Sequence, residues 1–294
     1  MSGDQERLDF EKRYASDTVE ITVLTGQHTG GAGKAGGAIL WTASADVLAY
    51  RDENDSEVTE SGRLSWLATD EQRDTWIHDL KPLTQYVVRA RRATPDPAEY
   101  AKYKLPVPDL SHHFALDEVV ERDVQNRFLL GWRDQWIRPV SMSTDIGDFE
   151  LDRAFGWFSG LITRDDGDIS VTLAVDEPTV LGAETCRASF ACLQALVADL
   201  PGIDARWRAF AAEKLTDLAN DWQEDAQEDE QDEAAPEAPI TADTFARRIR
   251  LRELSIDADG SMTAYYDDDE LFWGHVILIE VAADGTLGDA SIAG

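Results

Sequence analysis

Cysteine is nearly absent: 294 residues carry only Cys186 and Cys192. The two sit six residues apart in a segment that reads as helix. At a rise of ~1.5 Å per residue they lie about 9 Å apart along the axis, too far for a disulfide. They read instead as small buried hydrophobes. Lysine is scarce as well, found only at positions 12, 34, 81, 102, 104 and 214. No apolar run approaches the ~20 residues of a membrane span, and the polar start, residues 1–7, lacks the apolar stretch of a signal peptide. These absences predict a soluble, cytoplasmic protein with no membrane partner.

Acids are abundant. The chain has 58 Asp and Glu against 27 Lys and Arg, a formal net charge of −31. Such a surface repels phosphate backbones and forfeits the counterion release that drives nucleic-acid binding. Anionic membranes are disfavoured for the same reason. Basic proteins and multivalent cations are the favoured partners. The competing reading is a solvated acidic surface set by a salt-rich habitat or a genome bias, and the excess of Arg over Lys points to the second. Hydrophobic residues make up 43% of the chain, with nine Trp and ten Phe. That is enough to fill ordinary cores, so the bulk of the chain is expected to be globular.

The length suggests about two domains of ~150 residues. Residues 1–16 read as a loose polar arm. Val19, Ile21 and Val23 alternate with polar residues, the period of a half-buried strand. A glycine-rich loop follows over 26–37. Short strands are predicted at 38–41, 47–50 and 64–67, with a hairpin tip or loop over 52–60. Thr69 and Gln72 have capping-box spacing, predicting a helix to about Leu80 with Trp76, Ile77 and Leu80 on one face. Tyr86, Val88 and Ala90 mark another strand. Residues 1–105 are therefore expected to form a mainly-β domain, a small barrel or sandwich with one helix. Residues 106–140 read as a Pro-marked connector with a helix running from about Phe114 to Trp136. Residues 141–294 read as α+β, an antiparallel sheet packed on helices. Asp166-Gly167, Asp259-Gly260 and Asp284-Gly285 mark hairpins. One predicted helix stops at Pro201-Gly202 and the next starts after Asp204 as N-cap. Dense like charge over 223–239 predicts a disordered acidic loop. Thr241 then caps a short helix, with Ile240 stapling to Phe245.

Several separated motifs resemble one bacterial family. Phe149-x-Leu151-x-Arg153-x-Phe155-Gly156-x-Phe158 opens the second domain. Asn220-Asp221-Trp222 ends its helical pair, and Ile240-Thr241-x-x-x-Phe245 follows the linker. The strongest motif is Asp267 to His275, with Leu271-Phe272-Trp273-Gly274-His275, and Ile292-Ala293-Gly294 closes the chain. Over roughly 144–294 the sequence resembles the family known as domain of unknown function 2262. The N-terminal region resembles the domain often found ahead of it. The resemblance implies the α+β fold and a domain boundary. It implies no activity, so it transfers no catalytic residue and no cofactor.

Candidate sites follow from the residues alone. Gly31-x-Gly33-x-x-Gly36 has the letters of a dinucleotide fingerprint, but the next segment reads as strand where the motif needs a helix. A flexible loop is expected. The phosphate-loop pattern also fails, with His28 and Ala35 at two of its required positions. Asp267, Asp269 and His275 are candidate metal ligands, since carboxylates with one imidazole suit Mn, Zn or Fe. Asp268, Glu270, Phe272 and Trp273 are candidate partner-binding residues. The opposing reading of this segment is a packed turn. His112-His113 reads as an exposed polar pair. Arg89, Arg91 and Arg92 read as the one basic cluster, paired with surface acids or gripping an anion. The leading expectation is a non-catalytic protein-interaction module with an acidic surface, immunity-like or antitoxin-like in role, with a basic protein partner. The alternatives are a metal-dependent hydrolase using Asp267–His275, and a nucleic-acid mimic.

Overall fold

The computed structural model describes residues 2–27, 30–52, 57–164, 167–177, 184–229 and 238–294, with the backbone alone over 226–229. The chain forms two compact units, Met1–Arg138 and Pro139–Gly294.

The first unit contains α1 (Gly3–Glu11), β1 (Val19–Thr25), β2 (Gly31–Gly33), β3 (Trp41–Asp52) and β4 (Thr59–Ala68). It continues with α2 (Asp70–Asp74), β5 (Gln85–Arg92), α3 (Pro97–Lys102), β6 (His113–Arg122) and α4 (Arg127–Trp136). Its sheet runs β1-β5-β6-β4-β3, and β3 pairs back onto β1, so five strands close a barrel with β2 added on β3. β4 and β6 are parallel. A five-stranded Greek-key barrel is the layout of the OB-fold, which fixes architecture and carries no activity by itself. Alternation builds the core: in β5, Tyr86, Val88 and Ala90 are buried while Arg89 faces out. Ile21, Val23, Leu64, Trp66 and Phe114 complete it.

Four details differ from the sequence reading. The arm is not loose: Glu6 of α1 accepts from the Ile39 and Leu40 amides at 2.9 and 2.8 Å, and Phe10 is buried. The strand expected at 38–41 begins only at Trp41 and runs on through the one expected at 47–50 as a single strand, β3. The capping box at Thr69 forms in full, but α2 has only five residues. The chain turns at Trp76 and Asp79, where φ is positive. That breaks the predicted stripe, so Leu80 is buried while Trp76 and Ile77 are exposed. Finally, the helix expected from Phe114 is the strand β6. Phe114 and Leu116 fit a period of two as well as a helical one, and the gap between β4 and β5 selects the strand. Only α4, capped by Asn126, is helical.

The second unit contains β7 (Ser141–Ser143), β8 (Asp148–Asp152), β9 (Trp157–Ile162) and β10 (Ile169–Ala174). Then come α5 (Arg187–Val197), α6 (Leu200–Asp229), α7 (Ala242–Arg248), β11 (Arg250–Ile256), β12 (Met262–Asp267), β13 (Val276–Val281) and β14 (Leu287–Ala293). The eight strands lie in sequence order from β7 to β14. β10 and β11 pair parallel because the helices intervene between them. The other neighbours run antiparallel. Leu193, Trp207, Leu215 and Phe245 of the helices pack on Val171, Leu254, Tyr266 and Ile277 of the sheet. The fold is α+β, as the pattern of elements implies.

Asp204 is not an N-cap, because α6 begins at Leu200 and takes Pro201 into its first turn, where a missing N–H costs nothing. The acidic run is helical to Asp229, which corrects the loop expected from 223. A packed stem supplies the nucleus, and each added residue then gains a hydrogen bond. Residues 230–237 of that expected loop, and Asp166 of one expected hairpin, lie outside the described residues. Cys186 and Cys192 are both free, and burial pushes the Cys186 thiol up to about 11.

Candidate functional site

β12 ends at Asp267 and β13 begins at Val276, so the motif Asp267–His275 is the connection between adjacent strands. Asp268 organises it from inside. This side chain is buried, and its Oδ2 accepts from the Phe272 amide at 2.6 Å and the Gly274 amide at 3.2 Å. Oδ1 accepts from the Glu270 amide at 3.3 Å. Asp269, Glu270 and Trp273 have φ of 50°, 63° and 56°, and Gly274 has 85°. Left-handed backbone costs an L-residue about 1–2 kcal/mol, and only glycine is exempt. The three hydrogen bonds to one carboxylate offset that strain and hold the turn.

The turn separates its aromatics. Phe272 is fully buried, with ring edges toward Trp222 at 5.6 Å and Phe245 at 6.1 Å. Trp273 is 56% exposed, yet its ring lies 4.7 Å from that of Trp222. His275 donates from Nδ1 to the Phe272 carbonyl at 2.8 Å and meets the Trp222 ring edge-on.

The three candidate metal ligands do not converge. Asp267 accepts from the Asp269 amide at 3.1 Å and from Arg252 Nη2 at 3.1 Å, and these two interactions hold its carboxyl below the usual range. Asp269 accepts from Arg248 Nε at 2.9 Å. His275 is tied to backbone. Among the described residues, no group of three or more His, Cys, Asp or Glu is placed to hold a metal ion. The partner-binding candidates divide. Glu270 and Trp273 are exposed, whereas Asp268 and Phe272 face inward and have structural roles.

The remaining candidates are also placed. Gly31–Gly33 is β2, and the next element is strand β3, so the dinucleotide geometry is missing. Lys34 pairs with Asp70 at 3.1 Å. His112 and His113 are half-buried rather than exposed, and His112 Nδ1 lies 2.8 Å from the Tyr50 hydroxyl. Arg89 pairs with Glu118 at 2.6 Å, Arg91 with Glu11 and with Asp117 at 2.9 Å, and Arg92 with Asp52 at 2.9 Å. That cluster is committed to neighbouring acids.

It is also not the only basic cluster. Arg247, Arg248, Arg250 and Arg252 fall within six residues. Three of them, with Arg164 and Arg208, line a cavity of about 410 Å³ in the second unit. Their close spacing was the available signal. The cavity itself is assembled from distant segments and has no signature in the sequence.

Residues 143–292 match the family model described as an uncharacterized protein conserved in bacteria (DUF2262). The chain belongs to this family. Residues 6–136 match a second model, a domain of unknown function (DUF7021). The DUF2262 match thus spans the α+β unit and its Asp267–His275 turn, while the DUF7021 match spans the barrel. No curated protein and no solved structure matches the chain. No helix among the described residues is long and apolar enough to cross a membrane.

Proposed function

We propose that the protein is a non-catalytic interaction module, in which the α+β unit engages a basic protein partner through its acidic surface with Trp273 as anchor. Trp273 carries the reading. Its indole is open to solvent yet fixed, because Asp268 ties the backbone and Trp222 supports the ring. Rigid aromatic side chains of this kind dominate protein–protein interfaces, since they bury a large area at small entropic cost. Charge supports the choice of partner. Residues 139–294 hold 34 acidic and ten basic side chains, a field that steers a basic protein and repels nucleic acid. An immunity-like or antitoxin-like role, one protein neutralising another, is the form this reading takes.

The test is capture from bacterial cytosol on immobilised wild type and Trp273→Ala, at low and at ~0.5 M salt, where screening is strong. The expected result is a basic protein retained by wild type, with affinity at least about tenfold weaker in the variant and weaker in salt. Equal retention by both proteins, or nothing above background at low salt, overturns the reading.

A further inference from the structure

We propose that the cavity framed by Arg164, Arg208, Arg247, Arg250 and Arg252 binds a small phosphate-bearing anion. The inference is independent of the Trp273 surface.

It begins with an imbalance. Residues 139–294 contain nine arginines and a net charge of −24. Five of those nine gather around one cavity of about 410 Å³. Like charges held close repel one another, so arginines serving only surface pairing are better dispersed among the acids. Here four elements bring them together. Arg164 follows β9, Arg208 lies on α6, Arg247 is in the last turn of α7, and Arg250 opens β11. Arg252 is the extra residue of a β-bulge: Leu251 opposes Tyr266 and Glu253 opposes Tyr265, leaving Arg252 between them. Bulges of this kind re-aim a side chain.

Among the described residues, fewer acids than arginines line the cavity, and Arg164 has a partner of its own. Asp204 is the acidic side chain among its described lining residues. It already accepts from the Tyr266 hydroxyl at 2.9 Å. Asp204 Oδ2 also lies 3.2 Å from Arg208 Nε, but outside hydrogen-bonding geometry, so this buried Nε–H makes no hydrogen bond. Arg208 Nη1 donates to the Ala246 carbonyl at 3.2 Å, which fixes the guanidinium. Arg252 shares Asp267, at the rim. The side chains of Arg247 and Arg250 make no hydrogen bond or ion pair among the described residues, although Arg250 is near enough to Asp267 to help lower its pKa. Among the described residues, positive charge in the wall is therefore in surplus.

Chemistry selects the ligand. A guanidinium presents a planar fork of N–H donors that matches phosphate oxygens in pairs. The volume lies in the ~300–1,000 Å³ range of small-molecule sites. A single orthophosphate fills only part of it, whereas two linked phosphoryl groups offer more oxygens to the five arginines that line it. A long polyanion is disfavoured by the net charge of −24 on residues 139–294. The ligand class is a compact di- or polyphosphorylated small molecule.

The experiment is calorimetric titration of the full chain with inorganic pyrophosphate at constant ionic strength, with chloride as the matched control. Wild type, Arg250→Ala, Arg250→Lys, Arg247→Ala/Arg250→Ala and Trp273→Ala are compared. Saturable one-to-one binding by wild type is expected. Loss of one charged fork weakens it about tenfold and loss of both on the order of a hundredfold. Arg250→Lys keeps the charge and loses the fork, so it falls between wild type and Arg250→Ala. Arg247 and Arg250 are exposed, so ligand-free unfolding midpoints stay close to wild type and a binding defect is not a folding defect. Trp273→Ala binds like wild type, which separates this site from the partner surface. Absence of binding by wild type, or equal binding by the double variant, overturns the proposal.

Discussion

The two units treat arginine differently. In the barrel, Arg89, Arg91 and Arg92 are each matched to at least one carboxylate at 2.9 Å or less. In the α+β unit, which carries most of the negative charge, the side chains of Arg247 and Arg250 make no hydrogen bond or ion pair among the described residues. Overall charge therefore does not decide which arginines are neutralised. Strand geometry does. On β5, residues two apart share a face and meet acids on neighbouring strands, as Arg89 meets Glu118 across the β5–β6 register. Around the cavity, a helix end, a bulge and a strand start converge from different segments, and among the described residues Asp204 alone lines it with them while Asp267 pairs with Arg252 at the rim.

The buried acid of the second unit gives the largest test of the contrast. Asp268→Ala removes acceptors for three backbone amides and releases three residues from left-handed backbone. A loss of about 3 kcal/mol is expected, because unsatisfied buried donors cost about 1–3 kcal/mol. Chemical denaturation of the full chain measures it, and a loss under ~1 kcal/mol would show that water replaces the carboxylate. Arg91→Ala comes next. Its side chain is 14% exposed between Glu11 and Asp117, and removal leaves two carboxylates facing each other. About 2 kcal/mol is expected, discounted from the 3–5 kcal/mol of a fully buried pair because Glu11 is half exposed. Loss of Arg91 should be partly repaired by Glu11→Gln.

Much of the fold was legible in particular residues. Tyr86, Val88 and Ala90 announced β5, Thr69 and Gln72 announced α2, and Asp259-Gly260 and Asp284-Gly285 announced turns whose glycines have φ of 90° and 82°. β6 was not legible, because a short apolar run satisfies two periods and only barrel closure chooses between them. The length of α6 was hidden for another reason: its acidic end is helical through the stem on which it grows. The motif 267–275 stood out by composition, yet the inward course of Asp268 depends on three positive φ values that adjacent acids do not encode. The cavity joins residue 164 to residue 252, and no local pattern spans that distance.

Histidine offers a smaller contrast, read through pH. His78 in the barrel lies edge-on to Trp66 at 5.1 Å, and burial, with Arg122 nearby, holds its pKa below the ordinary 6.5. The unfolded chain then binds the proton more readily than the folded one. The His78 contribution is fully present above pH 6.5 and is lost as pH falls through that value toward the folded pKa. His78→Gln should flatten the fall in stability between pH 7 and 5. His113, also shifted down by burial and by Arg63, contributes in the same sense, so a residual slope remains. An unchanged slope in the variant would remove His78 from the account.

The smallest expected effect is the most informative about the comparison. Arg250→Ala, measured without ligand, should change stability by no more than about 0.5 kcal/mol, the usual range for surface positions away from a specific interaction. Its sign discriminates. Were Arg250 useful mainly as a counter-charge to the acidic unit, removal would destabilise, and more so at low ionic strength where the surface field is unscreened. Were it one of several arginines repelling one another across a cavity, removal would relieve that repulsion and stabilise slightly under the same conditions. The surplus of positive charge in the wall predicts the second outcome. It also predicts that saturating pyrophosphate reverses the order, leaving wild type the more stable, because a ligand bound only to the folded state stabilises in proportion to its affinity.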